Sequence, residues 1–112
     1  MIVIKTLEQT CSCAPMMYEG FTTDGKWIWI RLRWSGLRVL ISKVPMVKEP
    51  EFPFEECDVV YHETIDDDGF TGNIKFKEMV EILKDYIDFS LVEAEFLEDW
   101  IWTKYQTLAL ST

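Results

Sequence analysis

Apolar residues along this chain change their spacing near residue 73. Up to Lys43 they mostly alternate with polar ones, the period-two pattern of half-buried strands. From Ile74 they recur every three to four residues, the helical pattern. Ile2–Leu7 is a β-branched run that reads as a short strand, broken by Cys11-Ser-Cys-Ala-Pro15. Tyr18–Thr23 and Lys26–Trp34 flank Asp24-Gly25, a favoured pair for a two-residue hairpin turn. Ser35-Gly36 then separates Lys26–Trp34 from Leu37–Lys43 and predicts a second tight turn. These signals predict a three-stranded antiparallel meander.

Two-residue turns fix a register in which Thr23 opposes Lys26 and Trp34 opposes Leu37. One face then collects Phe21, Ile28, Ile30, Leu32, Trp34, Leu37, Val39 and Ile41 as the core. The other collects Trp27, Trp29, Arg31, Arg33, Arg38 and Leu40, with Gly20 opposite Trp29 and its bare backbone open to the indole. Val44–Phe54 holds Pro45, Pro50 and Pro53 and reads as a connector. Asp58–His62 suits either a short strand or a helical turn, and 66–72 a turn. Ile74–Ile87 places Phe76, Met79, Val80, Leu83 and Ile87 on one helical stripe. Ser90 with Glu93 forms a capping box for a second helix, striped by Val92, Phe96, Leu97, Trp100, Ile101, Tyr105 and Leu108. The fold class expected is α+β, an antiparallel β-meander of about four to five strands packed against two C-terminal helices.

Length and composition keep this to one domain over residues 1–112. It divides into a β-rich half (1–48), a Pro-containing acidic connector (49–72) and a helical half (73–110). Hydrophobic residues make up 48% of the 112, ample for one core. No apolar run approaches the roughly 20 residues of a membrane span. Met1-Ile-Val-Ile-Lys5 carries no basic leader ahead of a long apolar stretch, so the expected compartment is the cytoplasm. Three cysteines in that setting read as thiols or metal ligands rather than a disulfide framework.

Charge sharpens the division. Residues 1–48 carry seven Lys/Arg and three Asp/Glu, whereas residues 49–112 carry four Lys and seventeen Asp/Glu, for a chain total of −9. A basic sheet and acidic helices either satisfy each other internally or face different partners.

Three constellations could carry chemistry. Cys11, Cys13, Cys57 and His62 are every cysteine and the sole histidine, and three thiolates with one imidazole complete a tetrahedral zinc set. The Cys-x-Cys spacing is tighter than the usual two to four intervening residues. The alternative is a small core Cys57, loop cysteines and a surface histidine. Asp67–Glu78 resembles an EF-hand calcium loop, with Asp67, Gly72 and Glu78 at positions 1, 6 and 12. Gly69 and Lys75 stand at positions 3 and 9, so calcium is disfavoured against an acidic turn near the start of a helix. Finally, Trp27, Trp29, Arg31, Arg33 and Arg38 combine cations with aromatics as in single-stranded nucleic-acid grips. The net charge disfavours that reading, and the acidic helices are expected to cover and neutralise this face.

No glycine-rich phosphate loop, nucleophile elbow or HExxH motif occurs, and one histidine leaves little for acid–base catalysis. The leading expectation is therefore a non-enzymatic binding or inhibitory module that presents an acidic surface to a basic protein partner, with no cofactor. Glu93, Glu95, Glu98 and Asp99 on the last helix would contribute. Trp102, off that helix's main stripe, suits either a partner or homodimer contact or a core position in a helix buried on two sides. A zinc-stabilised structural domain and a nucleic-acid binder are the alternatives.

Overall fold

The computed structural model describes residues 1–12 and 15–92. Six strands form one curled, mixed sheet resembling half a barrel: β1 (Ile2–Ser12), β2 (Met16–Thr22), β3 (Lys26–Arg33), β4 (Gly36–Pro45), β5 (Cys57–Thr64) and β6 (Ile87–Asp88). Their order is β5-β4-β3-β2-β1-β6. The first five are an antiparallel meander, and β6 adds to β1 in parallel. Two short helices interrupt the strands, α1 (Pro53–Glu56) and α2 (Phe76–Leu83). The α+β class holds, but the sheet has more strands than expected, and α1 and α2 both lie between strands rather than both after them. The second predicted helix, from Ser90, and with it Glu93, Glu95, Glu98, Asp99 and Trp102, lies outside the described residues, as does Cys13. None of the helices in the described residues is long and apolar enough to cross a membrane.

Both hairpins differ in detail from the expected register. Gly20 pairs with Ile28 and Phe21 with Trp27, so the β2–β3 loop has three residues, Thr23-Asp24-Gly25. The cause is Thr22, buried at the loop's mouth. Its hydroxyl donates to Asp24 and accepts from the Lys26 amide at 3.1 Å, closing the loop one pair earlier, with Gly25 at φ +83°. Phe21 therefore belongs with the tryptophans rather than the core, and Glu19, not Gly20, faces Trp29.

The β3–β4 turn is Trp34-Ser35, both at positive φ (53° and 58°), with Arg33 opposite Gly36. Glycine would suit such a turn better. Long-range hydrogen bonds override that preference. The Ser35 amide donates to Thr71 O (2.8 Å), its carbonyl accepts from the Ile65 amide (2.8 Å), and its hydroxyl donates to the Asp66 carboxylate (2.6 Å). Asp66 also accepts from the Thr71 hydroxyl at 2.7 Å. Trp34 is thereby pushed out of the expected core face to 61% exposure.

The main core lies on one sheet face, where Ile4, Met16, Ile28, Ile30, Leu32, Leu37 and Val39 meet Phe76, Met79 and Leu83 of α2. Val80 packs at its margin, and Ile87 contributes from β6 rather than from a longer helix. Tyr18 lies in this core 5.5 Å from Phe76, and burial pushes its hydroxyl pKa up to about 12. α2 thus covers the face opposite the arginines, against expectation.

The acidic turn is explained by Asp66. Hydroxyl donors from Ser35 and Thr71 hold its carboxyl below its ordinary 3.8. A group depressed in the folded state stabilises above its unfolded pKa, and that contribution is lost as pH falls through the folded value. Asp66→Asn is expected to lower the melting temperature at pH 7, with the gap to the native chain narrowing below pH 3.8. Thermal melts at pH 7 and pH 3 check this.

An arginine pocket and an acidic cavity on one sheet face

The sheet face away from α2 is built around a second, smaller cluster. Trp27, Leu40 and Cys57 are buried there, with Phe21, Trp29 and Met46 packed against them. The β3–β4 pairing shifts register between Lys26 and Ile28, and a buried side chain satisfies the backbone there. Ser42, buried, accepts from the Trp27 amide (2.9 Å) and donates to Val44 O (2.7 Å). Pro53 begins α1, where a missing amide costs nothing. α1 lays Phe54 edge-on against Trp29 at 6.3 Å. Trp27 is 3% exposed and half-buried Trp29 stacks on it at 6.5 Å, so neither ring is an open stacking platform.

The arginines sit further along β3 and β4. Cross-strand pairing sets Met17, Arg31, Arg38 and His62 in one row across β2, β3, β4 and β5, and Arg33 lies two residues beyond Arg31. Each guanidinium lies near an aromatic ring: Arg31 is 5.6 Å from Trp29, Arg33 is 5.4 Å from Trp34, and Arg38 is 5.7 Å from Phe54. Such contacts hold a planar cation in place while leaving its N–H edges for other partners. Arg38 also approaches His62 Nε2 at 3.4 Å. Arg31, Arg33, Trp34, Gly36, Arg38 and His62 line a pocket of about 160 Å³.

Among the described residues nothing neutralises these cations. Among the described residues the single salt bridge is Lys84–Glu81, on the exposed side of α2. No carboxylate of the described residues comes within 4.0 Å of the three arginines. Arg31 Nε is buried without an acceptor, and a buried orphan donor costs about 1–3 kcal/mol. Burial, then Arg33 and Arg38, push the Arg31 pKa down.

At the other end of the face, roughly 20 Å along β3 from Arg33, lies a larger cavity of about 440 Å³. Phe21 and Trp27 wall it, and Glu8, Glu19 and Glu49 line it together with one cation, Lys48. Burial, then Glu49 and Glu8, raise the Glu19 pKa. Sequence patterning missed this cavity because Glu8, Glu19 and Glu49 come from β1, β2 and the connector and share no motif.

Of the proposed zinc ligands, the three among the described residues, Cys11, Cys57 and His62, are not brought together. Cys57 and His62 lie five residues apart on the extended β5, roughly 16 Å. Cys11 is on β1, four strands away. Burial, then Glu56 and Asp58, push the Cys57 thiol up, which disfavours the thiolate a metal needs. No group of three or more metal-ligating side chains occurs among the described residues. In the segment that resembles a calcium loop, Thr71 donates its hydroxyl to Asp66, just before the segment, and α2 starts at Phe76.

Comparison of the chain with family models, with curated proteins and with solved structures returns no match.

Proposed function

We propose that this chain is a non-enzymatic binding module that engages a basic protein surface through its acidic cavity. The observation that supports this reading most is the convergence of Glu8, Glu19 and Glu49 on an open, aromatic-walled space of about 440 Å³. None of the three forms a salt bridge within the described residues. Such a space suits the long stem and charged head of a partner's lysine or arginine, with the stem against Phe21 and Trp27. Burial, and after it the neighbouring Glu49 and Glu8, raise the Glu19 pKa, a cost that a bound cation would relieve. The exposed Glu51, Glu55 and Asp58 extend the same sign of potential along the connector and β5, which would steer a basic partner and make association salt-dependent.

The expected result of a low-salt pull-down from the protein's own cell lysate is a basic protein, released as salt rises. Glu8→Gln with Glu19→Gln and Glu49→Gln is expected to weaken that complex roughly ten-fold or more. Glu78→Gln with Glu81→Gln on α2 should leave it unchanged. Retention that ignores salt, or that survives the triple substitution, overturns the reading.

A further inference from the structure

The pocket at the far end of the same face has the opposite sign and calls for a different ligand. We propose that Arg31, Arg33, Arg38 and His62 bind the terminal phosphate of a nucleotide whose base lies against Trp34. The pocket's volume of about 160 Å³ is smaller than the several hundred of sites that swallow a whole ligand. It suits one charged group with the rest of the molecule outside. Three guanidiniums with no carboxylate of the described residues in reach supply planar N–H edges, the geometry that phosphate oxygens accept.

A second observation points to the same ligand independently. Trp34 sits at φ +53° in a turn where glycine or asparagine is the usual choice, and it is 61% exposed. Backbone strain of this kind is kept where the surroundings over-determine it, commonly at binding sites. Here Ser35, tied to Ile65, Asp66 and Thr71, imposes it. The consequence is an indole held out beside the pocket, with Phe70 edge-on at 6.3 Å and Arg33 near its ring. A flat base stacking there would be anchored by its phosphate in the arginine pocket.

The chain's charge of −9 argues for a short ligand. A long polyanion would run over acidic surface, whereas one phosphate lies within about a Debye length, 8–10 Å at physiological salt, of the arginines. A free nucleotide and the phosphorylated end of a single strand present the same chemistry.

Calorimetric titration tests the assignment, with adenosine 5′-monophosphate, adenosine and inorganic phosphate as probes. The monophosphate is expected to bind at least ten-fold more tightly than either fragment. Arg33→Gln with Arg38→Gln should lower its affinity ten-fold or more. Both side chains are at least partly solvent-exposed, and an unchanged near-ultraviolet circular dichroism spectrum verifies the fold. Trp34→Leu should reduce monophosphate affinity toward that of inorganic phosphate and leave phosphate binding unaltered. A 5′-phosphorylated oligodeoxyadenylate that binds as tightly as the monophosphate assigns the site to strand ends, and weaker binding assigns it to free nucleotide. No heat with millimolar monophosphate, or equal affinity in the double arginine variant, overturns the proposal. Equal binding of monophosphate and inorganic phosphate removes the role of Trp34.

Discussion

Gly20→Ala is expected to be the most damaging single-methyl change in this protein. A Cβ at Gly20 would lie 1.9 Å from the Thr6 carbonyl oxygen, 2.8 Å from its carbon and 2.9 Å from the Leu7 Cα. All three are backbone atoms of β1, so no rotamer change relieves the clash. β1 shifts register against β2 between Ile4 and Thr6, and this irregularity brings its backbone close over Gly20. The curl of the sheet depends on that approach, as glycine at a barrel corner permits. Over-packing ordinarily costs about 1–3 kcal/mol. A backbone collision of this depth should exceed the upper figure, a fall of roughly 12 °C or more in melting temperature. Gly69→Ala is the matched control. Its φ is +81° but nothing lies within 4 Å of the added methyl, so its cost is the conformational one alone, about 1 kcal/mol. Comparable melting of the two variants would show that β1 does not pack over Gly20.

Leu83→Ala is expected to come next. Phe76, Met79 and Leu83 project from one side of α2 into the main core, and the last two are fully buried. An eight-residue helix has little stability of its own and is held by that burial. Removing a buried leucine side chain costs about 3–5 kcal/mol, the transfer loss plus the cavity left behind. Val47→Ala, on a side chain 97% exposed, should fall within about 0.5 kcal/mol of the native chain. Chemical denaturation of both variants checks this, and a loss at Leu83 no larger than at Val47 would mean that α2 does not cap the core.

How much of this was legible follows from how local each cause is. The meander was readable because period-two alternation through Ile28, Ile30, Leu32, Leu37 and Val39 is a property of adjacent residues, and all five lie in the core. The stripe of α2 was readable for the same reason. Both hairpin registers were misplaced because their causes are side chains. Thr22 closes one loop early, and Ser35 is held by residues some thirty positions away. β1 was cut short at Leu7 because Cys11-Ser12 looks like a break, yet pairing with Met16 and Met17 carries the strand through Ser12. β6 is two residues long and owes its conformation to β1, so no local pattern announces it. The arginines were visible as a cluster, but the sequence put the wrong tryptophans beside the open space. Trp27 and Trp29 are covered by the connector, and Trp34 is the exposed ring.

The parallel pairing of β6 with β1 also sets an order of events during synthesis. Strands β1 to β5 can zip in sequence, each to the one just made. The outer edge of β1 has to wait for Ile87 and Asp88, its partners across an 85-residue span. At ribosomal speeds of about 5–20 residues per second, that interval is on the order of ten seconds. Throughout it, a nascent sheet carries an open row of amides and carbonyls able to template a neighbouring chain. The two residues of β6 therefore act as a late latch, and the chain's exposure to misassembly is governed by how soon they arrive.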